Sequence, residues 1–245
     1  MKPIKRIIDL SASILGLICL SPVLVTVAFL IWLTDRGNPF YTAPRVGKKF
    51  RLFKMIKFRS MVLNADSTGV DSTGNNDPRI TSMGKFIRRF KIDELPQLVN
   101  VLKGEMSLVG PRPNVEREVR LYSDQERRLL NVRPGITDMS SIVFADEGEI
   151  LADKADPDIA YNQLIRPGKS RLGLFYVDNH SFSIDLKIVL LTFRNSINRQ
   201  SALNGVAQLL AKYGAPASMV ELAKRTTPII PSPPPGMTSI ITSRE

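Results

Sequence analysis

Two adjacent carboxylates, Asp93 and Glu94, stand inside the run FKIDELPQLVNVLKGEMSLVGPRP at residues 90–113. Arg88, Arg89 and Lys91 precede the pair, and Lys103 and Arg112 follow it. The chain carries a formal net charge of +11, so an acidic pair among cations calls for a reason. Either the carboxylates close an ion-pair network on a solvated helix face, or they belong to a site that handles phosphate. In a phosphate site, guanidinium groups bind phosphate oxygens bidentately, and a carboxylate serves as nucleophile or ligand to a hard cation.

The elements that must position these groups follow from spacing. Thr81 or Ser82 caps a helix with Phe86, Ile87 and Phe90 on one face. Pro96 suits the first turn of a second helix, whose apolar positions Leu95, Leu98, Val99 and Leu102 recur at helical spacing and which Gly104 ends. Asp93 and Glu94 then fall at that helix start, where free N–H groups and the dipole favour anions. Pro111 and Pro113 hold the backbone rigid around Arg112 and fix where it points. Beyond them, residues 115–130 read as an amphipathic helix with a solvated charged face, ended by Arg133-Pro134-Gly135. PGITDMSSIVF reads as a turn and a short buried strand, and the carboxylates from Asp146 to Asp158 as structural.

Upstream, residues 10–33 are apolar apart from small hydroxyl side chains, long enough to reach across a hydrocarbon core. A cleavable signal peptide fits poorly, because the apolar run is too long and LTDRGNPF offers no small-residue cleavage site. A spanning anchor and a hairpin entering and leaving on one face both remain. Lys2, Lys5 and Arg6 precede the segment and Arg36, Arg45, Lys48 and Lys49 follow it, which conflicts with a simple span under the positive-inside rule. Pro22 predicts a kink, and Ser21 can bond a carbonyl that the proline frees.

From Pro39 the chain reads as a hairpin with turn residues at Pro44 and Gly47. Seven cations fall between Arg45 and Arg59, interleaved with Phe50, Phe53 and Phe58. That pattern suits single-stranded nucleic acid or anionic lipid, and the neighbouring apolar segment favours lipid. Residues 64–79 form a polar loop whose Asp66, Asp71 and Asp77 lack the distal glutamate of a calcium-binding hand. The apolar run within residues 172–194 is too short and interrupted to span, and reads as a packed or interfacial helix. Two short helical segments flank Gly214-Ala215-Pro216, and the proline-rich end beyond Thr226 reads as a tail. A single histidine, His180, and a single cysteine, Cys19, leave little material for a histidine-rich metal site, a serine triad or a disulfide. The sequence pI near 9.9 predicts an anionic partner without choosing one.

The run around Asp93-Glu94, with KFRSM at 57–61, RPG at 133–135 and Ser21-Pro22 in the apolar segment, resembles the bacterial sugar transferase family of monotopic phosphoglycosyl transferases. The resemblance covers about the first 200 residues and matches the family's minimal catalytic form. It implies a mixed α/β, helix-dominated fold with three parts: a re-entrant helix-break-helix over 1–36, a cytoplasmic catalytic domain over 37–200, and a helical extension with a Pro-rich tail over 201–245. The break would lie at Ser21 and Pro22, with both ends on the cytoplasmic face of the bacterial inner membrane and Asp9 at the interface.

The implied reaction passes a phosphosugar from a UDP-sugar to undecaprenyl phosphate and releases UMP, as a first membrane step in making a glycoconjugate. Asp93 matches the family's nucleophile and Glu94 the second member of its dyad, and together they would hold Mg²⁺. Arg88, Arg112, Lys57 and Arg59 are the candidates for phosphate contacts. Partners are the donor, the acceptor and membrane lipid, with no nucleic acid; a homo-oligomer remains open. Asp138-Met139-Ser140-Ser141 departs from the glycine and aromatic stretch that many members carry after PGIT, which leaves the donor sugar open. Two classes compete: a non-enzymatic membrane-surface scaffold in which the dyad forms only salt bridges, and a nucleic-acid binder using the basic-aromatic segment, whose binding would show a steep salt slope and no dependence on lipid.

Overall fold

The computed structural model describes residues 3–65 and 77–243. Asp66 and Asp71 of the polar loop lie outside the described residues; Asp77 pairs with Arg79 at 2.6 Å. The chain begins with one helix, α1 (Pro3–Asp35). At 1.5 Å per residue it is about 50 Å long. Among the described residues it is the one helix long and apolar enough to cross a membrane.

Secondary structure continues through Pro22, so the expected break does not divide α1. Pro22 has no N–H to give the carbonyl of Ile18, four residues back, and Ser21 Oγ donates to that oxygen instead at 2.8 Å. Both ends of α1 touch the body of the protein. Arg6 donates to the carbonyls of Val101 at 2.6 Å and Leu102 at 3.0 Å, and Asp9 accepts from Ser107 Oγ at 2.8 Å and the Leu108 N–H at 3.2 Å. Asp9, expected at the headgroup interface, is buried because these donors need a partner. At the other end Val27 and Ile31 pack with Phe58 and Ile87, and Asp35 binds Arg59. Leu15, Ile18, Val25 and Phe29 between the ends are exposed.

The predicted hairpin is present: β1 (Phe40–Val46) pairs antiparallel with β2 (Leu52–Phe58), from Phe40 opposite Phe58 to Val46 opposite Leu52. Pro44, expected in the turn, lies inside β1 opposite Lys54. Next come α2 (Ser82–Arg89) and α3 (Gln97–Lys103), the first capped by Thr81 and the second ended by Gly104 at φ 82°. Ile87 is buried as the core face of α2, whereas the Phe86 and Phe90 rings meet tilted by 59° with centroids 5.1 Å apart and stay exposed.

A second sheet pairs β3 (Ser107–Val109) with the parallel β4 (Gly135–Thr137). Between them the single helix expected over 115–130 is split into α4 (Glu116–Arg120) and α5 (Asp124–Arg127), because Ser123 starts a new helix with a full capping box to Glu126. The strand expected after PGIT ends at Thr137. Asp138 then caps α6 (Met139–Val143) by accepting from the Ser141 N–H at 2.7 Å. Two further turns, α7 (Glu147–Ile150) and α8 (Pro157–Ala160), carry the acidic run, where Asp146 binds Arg199 and Arg225 and Asp158 binds Arg117.

The helix expected over 172–194 is two, α9 (Arg166–Asn179) and α10 (Phe182–Ile197), because Ser181 caps the second. They pack with α11 (Arg199–Lys212) and α12 (Ala217–Lys224) around Ile188, Leu203, Val206 and Leu210. Each such side chain contributes about 1.5–3 kcal/mol by burial. One side of α10 stays uncovered: Phe182, Leu186, Leu190, Phe193 and Ile197 are exposed. The proline-rich end has no regular structure but lies on the domain, where Arg171 donates to the Pro233 carbonyl at 2.8 Å and Ser232 N–H to Gln163 at 3.1 Å.

Candidate active site

Between α2 and α3 the chain turns inward at Lys91, whose φ of 56° lies in the left-handed region, and enters a single 3₁₀ turn, Ile92–Glu94. A non-glycine residue there carries strain, which sharp redirection of the chain explains. The turn delivers Asp93 into the interior at 7% exposure, with Glu94 beside it. Glu94 is gripped from two sides. Arg112 donates to both carboxylate oxygens, at 3.0 Å from Nη1 to Oε2, and Lys57 Nζ approaches Oε1 at 3.4 Å. Arg112 Nη1 also reaches the Ile136 carbonyl at 3.3 Å.

The two carboxylates have opposite electrostatics. Burial opposes ionisation of Glu94, but Arg112 and Lys57 outweigh it and hold its carboxyl well below the ordinary range. Asp93 has no such partner: its Oδ1 is enclosed with no hydrogen bond. Burial first, then the charge of Glu94, push its pKa up against the opposing pull of Lys57, Lys91 and Arg88. Burial also lowers Lys57, partly offset by Glu94.

Two local devices bring the cations to the dyad. Asn100 is fully buried on α3 and clamps the edge of β2, accepting from the Ile56 N–H at 2.9 Å and donating to the Lys54 carbonyl at 2.8 Å. The next residue of that strand is Lys57. Arg112 is aimed by a crossing of two glycines: a Cβ on Gly135 would meet the Gly110 nitrogen at 2.1 Å, so neither side can carry a side chain. Gly135 N–H donates to the Pro111 carbonyl at 3.1 Å, and Gly110 N–H to Thr137 at 3.1 Å. The Pro-Arg-Pro segment is thereby pinned to the strand after the RPG turn.

Of the sequence candidates, Asp93, Glu94, Lys57 and Arg112 therefore meet in one place. Arg88 stands within electrostatic reach of Asp93 and makes no side-chain hydrogen bond or ion pair among the described residues. Arg59 is elsewhere: its guanidinium binds both oxygens of Asp35 and the Asn38 carbonyl at 2.7 Å, tying the end of α1 to β2. Ser21 and Pro22 belong to α1 and not to the dyad. Two narrow clefts are lined by Pro111 and Arg112, one of them also by Asp138, Ser140, Tyr161 and Lys169. Asn100 escaped the sequence reading. Its signal was a polar residue amid the apolar positions of α3.

The family model described as bacterial sugar transferase matches residues 1–199 of the 245. The chain belongs to that family. An undecaprenyl-phosphate glucose phosphotransferase of Komagataeibacter xylinus is 39% identical to this bacterial sugar transferase over 205 residues, 81% of the chain and 36% of the relative. An undecaprenyl-phosphate galactose phosphotransferase of Salmonella typhimurium is 42% identical over 149 residues, 55% of the chain and 31% of the relative. The exopolysaccharide production protein ExoY of Sinorhizobium fredii is 35% identical over 203 residues, 77% of the chain and 83% of the relative. This bacterial sugar transferase thus spans well under half of the two phosphotransferases and most of ExoY.

Proposed function

We infer that the protein transfers a phosphosugar from a UDP-sugar to undecaprenyl phosphate at the membrane, by way of a covalent intermediate on Asp93. The observation that carries this reading is the division of labour within the dyad. Glu94 is neutralised by Arg112 and Lys57, while Asp93 sits beside the same cations with no partner of its own. A carboxylate oxygen of Asp93 attacks the sugar-linked phosphorus, the bond from that phosphorus to the bridging oxygen breaks, and UMP leaves with the electron pair. An oxygen of undecaprenyl phosphate then attacks the same phosphorus, and the Asp93 carboxylate leaves unchanged. Arg112 and Arg88 face the anionic donor, and a guanidinium at these positions offsets charge as the bridging bond lengthens.

Among the described residues no three metal-binding side chains cluster, so any cation would draw further ligands from outside the protein. The donor set fits Mg²⁺ on those terms, because two adjacent carboxylates supply hard oxygens and a diphosphate supplies the rest. Asp93 and Glu94 would hold it. Bound there, Mg²⁺ would offset charge on the diphosphate.

Purified protein incubated with Mg²⁺ and, in turn, UDP-glucose, UDP-galactose and their N-acetylated counterparts tests the reading. One donor is expected to release UMP in a burst near one per active site without any lipid, and to leave a phosphosugar detectable by intact mass. Chelation with EDTA should suppress the burst, and undecaprenyl phosphate should convert it to steady turnover. Steady turnover without burst or adduct would replace the covalent route by direct attack of the lipid phosphate.

Membrane association rests on α1 and on the exposed apolar side of α10, whose Asp185 binds Lys5 of α1. A straight span separates its ends by a hydrocarbon core of about 30 Å. Lys5, Arg6 and Asp9 at one end and Val27, Ile31 and Asp35 at the other all touch a single body, which supports both ends lying on one face. Basic residues at both flanks support the cytoplasmic face of a bacterial inner membrane. In a Cys19→Ser background, Pro3→Cys and Phe40→Cys should both react with an impermeant thiol reagent in inside-out vesicles and neither in intact cells. Opposite-side labelling would establish a spanning helix.

A further inference from the structure

Three buried polar atoms, on the nucleophile and on the residue four positions after it, lack hydrogen bonds: Asp93 Oδ1 and both Gln97 Nε2 and Oε1. Gln97 is 0% exposed. A buried amide with neither end satisfied is costly, because each enclosed polar group forfeits its water without a replacement. Such a group calls for a partner that the reaction provides.

We propose that Gln97 is a positioning residue for Asp93, donating its amide N–H to Oδ1 so that Oδ2 is presented to the phosphorus; this rests on the covalent reading above. The spacing supplies the contact. Asp93 sits in the 3₁₀ turn and Gln97 opens α3 four residues on, and Leu95 and Pro96 between them both have right-handed helical backbone angles, which keeps the two residues about one helical turn apart. A helical side chain leans toward the N-terminus, which sends Gln97 toward Asp93 and not away from it. The carboxylate oxygen accepts at more than one lone-pair site, so this contact leaves room for a cation at the dyad.

The test uses the full-length protein, Mg²⁺ and the UDP-sugar that gives the burst. Gln97→Met keeps the length and removes the donor. The single-turnover rate of adduct formation should fall by about 10- to 100-fold, the penalty of a misplaced nucleophile, while the UDP-sugar concentration giving half-maximal rate stays within about twofold. Gln97→Glu, which cannot donate when ionised, should fall at least as far. A Gln97→Met protein that melts higher and forms adduct at the wild-type rate would make Gln97 an ordinary buried amide and overturn the proposal. That result leaves the covalent reading intact, which fails separately, if Asp93→Asn remains active or if turnover proceeds without burst or adduct.

Discussion

Asp93→Asn is expected to lose UMP release, adduct and turnover by at least about 10³-fold, while the protein folds, inserts and melts at or above the wild-type temperature. The loss follows from the proposed chemistry, since the amide keeps the shape and removes the carboxylate that would attack phosphorus. The gain in stability follows from linkage. Burial and Glu94 raise the pKa of Asp93 in the folded protein above its ordinary 3.8, so the folded state favours the protonated form. Stability from this group is full at low pH and is lost as pH rises through the raised value, so at neutral pH the ionised carboxylate is a burden that asparagine removes. Glu94→Gln should show the opposite sign. Burial resists its charge, but Arg112 and Lys57 lower its pKa below the ordinary 4.5, so its contribution is present above that value and lost on acidification. Melting in detergent with EDTA, from below pH 4.5 up to pH 8, checks both. An Asp93→Asn protein that is clearly less stable than wild type would mean that the carboxylate holds the fold, and not only the chemistry.

Much of the site could be read from local signals. Thr81, Pro96 and Gly104 each act at a helix end by a mechanism confined to a few residues, and the structure places all three as expected. Pro111 and Pro113 were enough to foresee a fixed Arg112, although its target, Glu94, lies 18 residues away in the chain. What stayed hidden depends on tertiary pairing. Arg59 sits in the same motif as Lys57, yet it lies just past the end of β2, where the end of α1 takes it to Asp35. The Gly110–Gly135 crossing needs two turns to meet, and neither glycine announces the other. Helix lengths were overestimated where a serine began a new helix inside an apolar pattern, at Ser123 and Ser181, and Asp138 began a helix where a buried strand was expected. Periodicity counts apolar positions and does not see a capping hydroxyl among them.

The residue most misjudged by such a count is Glu126, expected on a solvated face and found fully buried. It accepts from Arg166 at 3.0 and 2.6 Å, from Ser170 Oγ at 2.6 Å and from the Ser123 N–H at 3.1 Å. Arg166, equally enclosed, uses its remaining donors on Asn162 at 2.9 Å and the Leu121 carbonyl at 2.6 Å, with the Tyr122 ring 5.4 Å from its centre. Every polar atom of the pair is thus answered, which is the condition under which a buried ion pair holds. Glu126→Ala leaves the guanidinium buried without its carboxylate and frees Ser123 and Ser170 as well. The expected loss is about 3–5 kcal/mol, seen as a fall of roughly 10 °C in apparent melting temperature. Turnover should fall with it, because Arg166 and Ser170 line the same cleft as Arg112 and support the segment that aims it. Removing both charges, as Glu126→Leu with Arg166→Met, should recover most of the stability, since the penalty comes from the orphaned charge and not from the absence of the pair. If the double variant is as unstable as the sum of the single ones, the two residues act independently and the joint between α5 and α9 is held by packing alone.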